Sequence, residues 1–277
     1  MKESRIHFFN GNFIETPDLE RLKTEVKIST NLEVFDFVIT YQSQRPFMLD
    51  RHIDRLFNSA TLFRINLLCS KEDLKGWIMA TLQRNNNNSE KSILISIFSK
   101  SIPVPAQPII VIECNDRLPF PEEFYTKGVK LDTASHRRYM PAAKSNNDIE
   151  YERQLKIKKQ LDVFETVYHD EKQIFESSHS NIFALINNEL VTPESHILHG
   201  VTRAVLIEIL SLQTPVLVRD FTLDELMSAE EIFITGTNKE ILPVTQINNE
   251  YIGKGRVGCV TLEIMKQFKG FTQSDNW

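Results

Sequence analysis

The chain has 277 residues, 41% of them hydrophobic and 25% charged, and a formal net charge of -5 at pH 7. That is enough apolar material for one large domain or two modest ones, and the negative balance supplies no general basic field to hold a nucleic-acid backbone or an anionic membrane. No apolar run approaches the roughly 20 residues that cross a bilayer. The amino terminus MKESRIHFFNG also lacks the apolar core and small-residue cleavage site of a secretion signal, so a cytoplasmic protein is expected, with neither nucleic acid nor membrane as partner.

Taken in order, RIHFFNGNFIE (5 to 15) reads as a hairpin that turns at Asn10-Gly11. VFDFVITYQSQRPFML (34 to 49) is aromatic and β-branched around a polar middle, which predicts a second hairpin. After Asp50 the period changes: Ile53, Leu56, Phe57, Ala60 and Phe63 recur at three and four, an amphipathic helix with Arg51, Asp54, Arg55 and Asn58 between them. Arg51 and His52 are placed on its exposed flank. A further helix over 71–82, a polar loop NNNNSEK, and the strands SILISIF and PIIVIEC complete this half.

CNDRLPFPEEFYTKG carries two prolines and loses its periodicity, as an inter-domain connection does. A boundary near residue 118 gives a smaller domain, 1–118, and a larger one, 119–277. Beyond it come the strand VKLDTA, an irregular basic piece SHRRYMPAAKSNN and a helical stretch over 148–162. The strands FETVYH, QIF, IFALI and ELVTP, a helix over 202–212, the strand PVLVRD, a short helix and the strand EIFIT follow. The fold class expected is α+β in two domains. Cys69, Cys114 and Cys259 are scattered without paired spacing, which argues against disulfides or a cysteine zinc site and leaves all three as packing residues.

Several polar groups fall where strands stop or helices begin, positions that face a cleft more readily than a core. Lys144, flanked by alanines, is either an exposed lysine or, if buried, an amine of depressed pKa. Glu176 is either a solvated loop acid or the fixed partner of a buried cation. Gly200, Val201 and Thr202 open an apolar-striped helix, either as an ordinary cap or as an anion site of backbone N–H groups and a hydroxyl. The strand FIT breaks at Gly236-Thr237-Asn238, a turn that can expose N–H groups to a phosphate or simply turn. His136, Arg137 and Arg138 form either a solvated basic loop or a group facing a substrate carboxylate. His196 and His199 are three apart, but with no third ligand nearby no metal is expected.

The order and spacing of these groups are more specific than any one of them. A helix carrying Arg55-Leu56, then Lys144, then E-S-S-x-S-N-x-F from Glu176, then G-V-T-R from Gly200, then F-x-T-G-T ending at Thr237 resembles the class IV aminotransferase family. That family comprises fold-type IV, pyridoxal-phosphate-dependent enzymes: branched-chain and D-amino-acid aminotransferases and 4-amino-4-deoxychorismate lyase. The resemblance runs from about Phe9 to Val244. It implies that Lys144 holds the cofactor covalently and moves the substrate's α-proton, and that Glu176 keeps the pyridine nitrogen protonated, which makes the ring an electron sink. It implies further that Arg55, the backbone at Val201 and Thr202, the Thr202 hydroxyl and Thr237 hold the cofactor phosphate, that Asn181 orders a loop, and that the enzyme is a homodimer.

Departures from the family pattern bear on the substrate. The tyrosine that branched-chain enzymes carry five residues after the lysine is Ile149 here, the nearest tyrosine is Tyr151, and KSNN is closer to the K-x-x-N of D-amino-acid aminotransferases and the lyase. The usual E-G-S is Glu176-Ser177-Ser178, and the usual G-D-G-x-F-E is NLEVFDF, with Phe35 and Asp36 at its end. Three readings stand: amino transfer between a branched-chain or D-amino acid and a 2-oxo acid; elimination of pyruvate from aminodeoxychorismate; and a relative that binds the cofactor without turnover.

Overall fold

Asn10 and Gly11 both take positive φ (44° and 101°), as a tight two-residue hairpin turn requires. The turn joins β1 (Ile6–Phe9) to β2 (Asn12–Glu15). In the computed structural model, which describes residues 5–42, 44–99, 107–146, 163–210, 215–275 and 277, the chain forms two units. One comprises Met1–Leu118 with Ala143–Asn147 and Trp277; the other comprises Pro119–Ala142 with Asp148–Asn276. The helix expected over 148–162 lies outside the described residues.

In the first unit, β3 (Leu32–Tyr41), β4 (Arg45–Pro46), β5 (Lys91–Ser99) and β6 (Ile109–Asp116) join the hairpin in an antiparallel sheet of order β2-β1-β6-β5-β3-β4. The second hairpin is therefore lopsided, ten residues against two. Helices α2 (Leu49–Leu62) and α3 (Lys71–Arg84) cover one face, packing Ile53, Leu56 and Ile78 on Val34, Val38, Ile93, Ile95 and Ile97. On the other face lies α1 (Thr16–Ser29), a helix the sequence reading passed over, whose Leu19 and Val26 meet Phe98 and Val111.

Alternation along β3 puts Asp36 in line with Val34 and Val38, on the face that α2 covers. A carboxylate fixed there needs compensating donors, and α2 supplies them. Arg55 grips it with both arms, Nε on Oδ2 at 2.8 Å and Nη2 on Oδ1 at 2.8 Å, while His52 Nδ1 donates to Oδ1 at 2.7 Å. Burial alone would raise the Asp36 pKa, but the Arg55 charge and the His52 contact outweigh it and hold the group well below the usual carboxylate range. His52 is not on an exposed flank: it is wholly buried, and burial lowers its pKa against the pull of Asp36. It sits with Leu49, Leu56 and Ser59 on the buried stripe of α2.

The second unit is built on β7 (Val129–Ser135), β8 (Glu165–His169), β9 (Ile174–Ser177), β10 (Asn181–Ile186), β11 (Glu189–Thr192), β12 (Val216–Val218), β13 (Glu231–Gly236) and β14 (Glu240–Ile247). Their order is β12-β11-β10-β13-β14-β7-β8-β9, with β15 (Glu250–Tyr251) on β14. The β11/β12, β14/β7 and β7/β8 pairs are parallel and the others antiparallel. Leu131, Val167, Ile182, Ile232, Ile234 and Leu242 pack one face; on the other, Phe183 and Phe233 stack with centroids 4.9 Å apart.

Four helices are described here: α4 (Glu122–Lys127), inside the proline-bearing connection that was expected to be irregular, α5 (Val201–Leu210), α6 (Leu223–Met227) and α7 (Cys259–Thr272). Glu231 caps α7 from the sheet, accepting from Val260 N (3.1 Å), Thr261 N (2.7 Å) and Thr261 Oγ1 (2.7 Å). Cys114 is buried as expected of a packing residue, but Cys259, at the first turn of α7, is exposed. Among the described residues no helix is long and apolar enough to cross a membrane.

Replacing Asp36 with alanine strands the Arg55 guanidinium against an apolar sheet face. Urea unfolding should register a loss of about 3 kcal/mol, and an unaltered midpoint would show that the buried pair adds nothing to stability.

Candidate active site

In the second unit, the acid at the end of β9 is not solvated. Glu176 is 4% exposed, and each of its oxygens is fixed: Arg138 Nη1 donates to Oε1 at 2.8 Å and the Leu198 amide to Oε2 at 2.9 Å. The arginine comes from the basic piece after β7, so a solvated loop is the wrong description of Arg138. His136 packs edge-on to Tyr168 with centroids 4.8 Å apart, and Arg137, which is exposed, reaches His196 Nδ1.

The Leu198 carbonyl accepts from Asn181 Nδ2 at 2.7 Å, so one residue of the loop before α5 is tied at its amide to β9 and at its carbonyl to β10. Asn181 thus orders that loop. Gly200 completes the arrangement: a Cβ there would stand 2.1 Å from Asn181 Oδ1, so no side chain fits without displacing the asparagine. Helix α5 then starts at Val201 and Thr202, both buried, with the first-turn amides that a helix cannot satisfy internally. Arg203 is not an anion ligand of this group, since its guanidinium is buried on Thr192 Oγ1 (3.1 Å) and Pro193 O (2.8 Å).

Register sets Thr235 of β13 directly opposite Asn181 of β10, and directly opposed residues share a face. Thr235 Oγ1 is buried and has no hydrogen-bond partner among the described residues. Thr237 follows in the turn to β14, partly exposed.

Beneath these two turns lies a buried ion pair that the sequence reading did not single out. Glu165, 1% exposed, takes Lys239 Nζ, Ser177 Oγ, Ser180 Oγ (3.1 Å) and the His179 amide (3.2 Å). Burial pushes its pKa up, but Lys239, the charge of His179 and the Lys239 and Ser177 hydrogen bonds overcome this and bring it down to about 2.

In the first unit, residues 143–146 lie along β3. Phe35 N donates to Lys144 O (3.0 Å), Asn146 N donates to Glu33 O (3.1 Å), and Val34 bridges Ser145. The Lys144 amide donates to Ser59 Oγ (3.0 Å), whose hydroxyl donates to the Arg55 carbonyl (2.9 Å), so the backbones of the two sequence candidates in this unit are joined through one buried serine. Lys144 Nζ sits 4.9 Å from the Phe35 ring centroid, within cation–π range. Of the sequence candidates, then, Arg55 and Lys144 belong to the first unit and Glu176, Val201, Thr202 and Thr237 to the second. Glu165 and Lys239 are partners that sequence reasoning did not single out, whereas His52 and Arg138 were placed on an exposed flank and in a basic loop, and Asp36 was noted only as a departure from the family pattern.

A family profile described as amino-transferase class IV matches residues 33–247. A Methanocaldococcus jannaschii protein provisionally named a branched-chain-amino-acid aminotransferase is 30% identical over 95% of this chain and 94% of its own. A Listeria monocytogenes D-alanine aminotransferase is 28% identical over 85% of each chain. Among solved structures, a T.th. branched-chain amino acid aminotransferase with pyridoxamine 5′-phosphate has a TM-score of 0.86 at 25% identity, covering 98% of this chain and 95% of that one. The branched-chain amino acid aminotransferase of Escherichia coli has a TM-score of 0.87 at 24% identity, covering 99% and 98%, which shows the fold.

Because the Glu165 pKa is depressed in the folded state, its stabilisation is complete above the unfolded value near 4.5 and is lost as pH falls through about 2. Thermal unfolding followed from pH 5 to pH 2 should therefore show a declining midpoint, with a shallower decline in Glu165→Gln. Equal slopes in the two proteins would contradict the assignment. Arg138→Ala, which leaves the Glu176 carboxylate buried without its cation, should cost about 2 kcal/mol in urea unfolding, a buried-pair loss reduced for the partial exposure of the arginine.

Proposed function

Because this chain belongs to the class IV aminotransferase family, whose members work with pyridoxal phosphate, we propose that it binds that cofactor and transfers an amino group between an amino acid, branched-chain or D, and a 2-oxo acid. The observation that carries the reading is Glu176: a buried carboxylate at a strand end, with its two oxygens oriented by Arg138 and Leu198. A carboxylate so held is suited to keeping a heteroaromatic nitrogen protonated. The donor set fits the rest of the group. It offers a primary amine at Lys144, a fixed guanidinium at Arg55, the amides and hydroxyl at the start of α5, and a turn in which Thr237 follows the buried, unpartnered Thr235 hydroxyl.

When bound, pyridoxal phosphate supplies a carbonyl carbon for amines and a ring that accepts the electron pair left at the substrate's Cα. The residues do the remainder. Arg55, the Val201 and Thr202 backbone, the Thr202 hydroxyl and Thr237 are the groups that would hold the phosphate. Asp36 holds the Arg55 guanidinium at two points, so it is oriented before the phosphate arrives. Lys144 Nζ would hold the cofactor at rest and, once displaced by the amino donor, would take the proton from the substrate's Cα and return it two atoms along, across the nitrogen, to the cofactor carbon that had borne the lysine. Its backbone is pinned at both N–H and C=O, which limits the search of its side chain. The relatives named for D-alanine and for branched-chain amino acids support both substrate classes, and a homodimer is proposed with the family.

The test is a panel of L-branched-chain and D-amino acids offered to loaded protein, with 2-oxo acid formation as the readout. One class should yield a 2-oxo acid and then aminate a second 2-oxo acid. Pyruvate released from aminodeoxychorismate without an acceptor would replace transfer with elimination, and a bound chromophore untouched by every amino acid would mean binding without turnover. Lys144→Ala should abolish turnover. Glu176→Gln should retain cofactor and slow proton abstraction about a hundredfold; an unchanged rate would remove Glu176 from the ring nitrogen.

A further inference from the structure

The turns that carry Glu176 and Thr237 are stitched together by a charge pair that the catalytic reading does not use. Ser177 and Ser180 close a tight turn, Ser177 N donating to Ser180 O at 2.8 Å and Ser180 N to Ser177 O at 3.3 Å, and Ser178 N donates to Thr166 O at 2.9 Å. Three groups of that turn donate to Glu165: Ser177 Oγ, Ser180 Oγ and the His179 amide. From the other turn, Lys239 Nζ meets Glu165 and also donates to Ser180 Oγ at 2.7 Å. The two turns meet besides where Lys239 Nζ donates to the His179 carbonyl at 3.5 Å.

We propose that Glu165 and Lys239 are positioning residues for cofactor binding, a buried pair that locks turn 177–180 to turn 236–239 and so fixes the Glu176 carboxylate relative to Thr237 before the cofactor enters. This rests on the pyridoxal-phosphate reading. Glu176 is one residue from Ser177, and Thr237 is two residues from Lys239, so a shift of either turn is passed on through one or two peptide units. Neutralising one partner leaves the other charge buried; the turns then relax apart to hydrate it, and the ring-nitrogen and phosphate contacts no longer fit one rigid molecule.

The experiment measures the pyridoxal-phosphate Kd and the visible absorbance band, well below the unfolding temperature, for wild type, Glu165→Gln, Lys239→Met, the double variant and Ser180→Ala. Each charge-removing single variant should raise Kd about tenfold or more and shift the band. The double variant should lose less than the two losses combined, because the stranded charge is then gone. Ser180→Ala, which deletes one hydroxyl between the pair and leaves the charges, should raise Kd about threefold, and it decides the matter if the singles do not fold. Lower melting temperatures with unaltered Kd and band would overturn the positioning role while leaving the cofactor reading intact. A wild type that binds no pyridoxal phosphate would overturn both.

Discussion

An ionised carboxylate inside a sheet is tolerated only where the fold brings cations and N–H groups to it. Among the described residues Asp36, Glu165 and Glu176 are held in this way, and Glu176 is the case on which the functional account depends. All four residues of its strand are buried, so the charge cannot be left to water; Arg138 and the Leu198 amide hold it instead. Holding it also holds the loop before α5, because the Leu198 carbonyl is tied to Asn181 and a side chain at Gly200 would displace that asparagine. The acid, the loop and the first turn of α5 therefore stand or fall together.

The same logic explains why the supporting residues lie where they do. Asp36 and Glu165 are each fully buried, which by itself would raise the carboxyl pKa, and each is instead pulled well down by the cation beside it. Each pair stands next to a group assigned to the cofactor: Asp36 directly on Arg55, and Glu165 beneath the turns that carry Glu176 and Thr237. Such pairs contribute little net stability against a well-packed apolar alternative, yet breaking one is costly. That asymmetry makes them better at fixing geometry than at raising a melting point.

The residues that would touch the cofactor were legible as types at strand ends and helix starts, and their spacing pointed to a family. Their partners were not, because a partner is a matter of register and long-range return. Arg138 stands beside another arginine in an irregular stretch, and only the path of the chain selects it for Glu176. His52 was readable in principle, since Leu49, His52, Leu56 and Ser59 recur at helical spacing, but a polar residue on that stripe was assigned to the flank. Strand β14 carries Pro243, a residue that normally argues against a central strand, and it nevertheless pairs with Phe233. Among the described side chains of helix α1, Leu19 and Val26 are the buried apolar ones, two turns apart and too sparse a stripe to recognise. Helix α7 had a clear one in Thr261, Ile264, Phe268 and Thr272, but its cap is Glu231, thirty residues upstream and out of reach of any local rule.

The central claim is that one amine of this chain holds the cofactor. Borohydride reduction of pyridoxal-phosphate-loaded protein fixes the cofactor to the lysine that bears it, and peptide mass spectrometry then locates it. The account predicts a single labelled site, Lys144. Label on Lys239, the buried lysine of the second unit, or label spread over surface lysines, would contradict it.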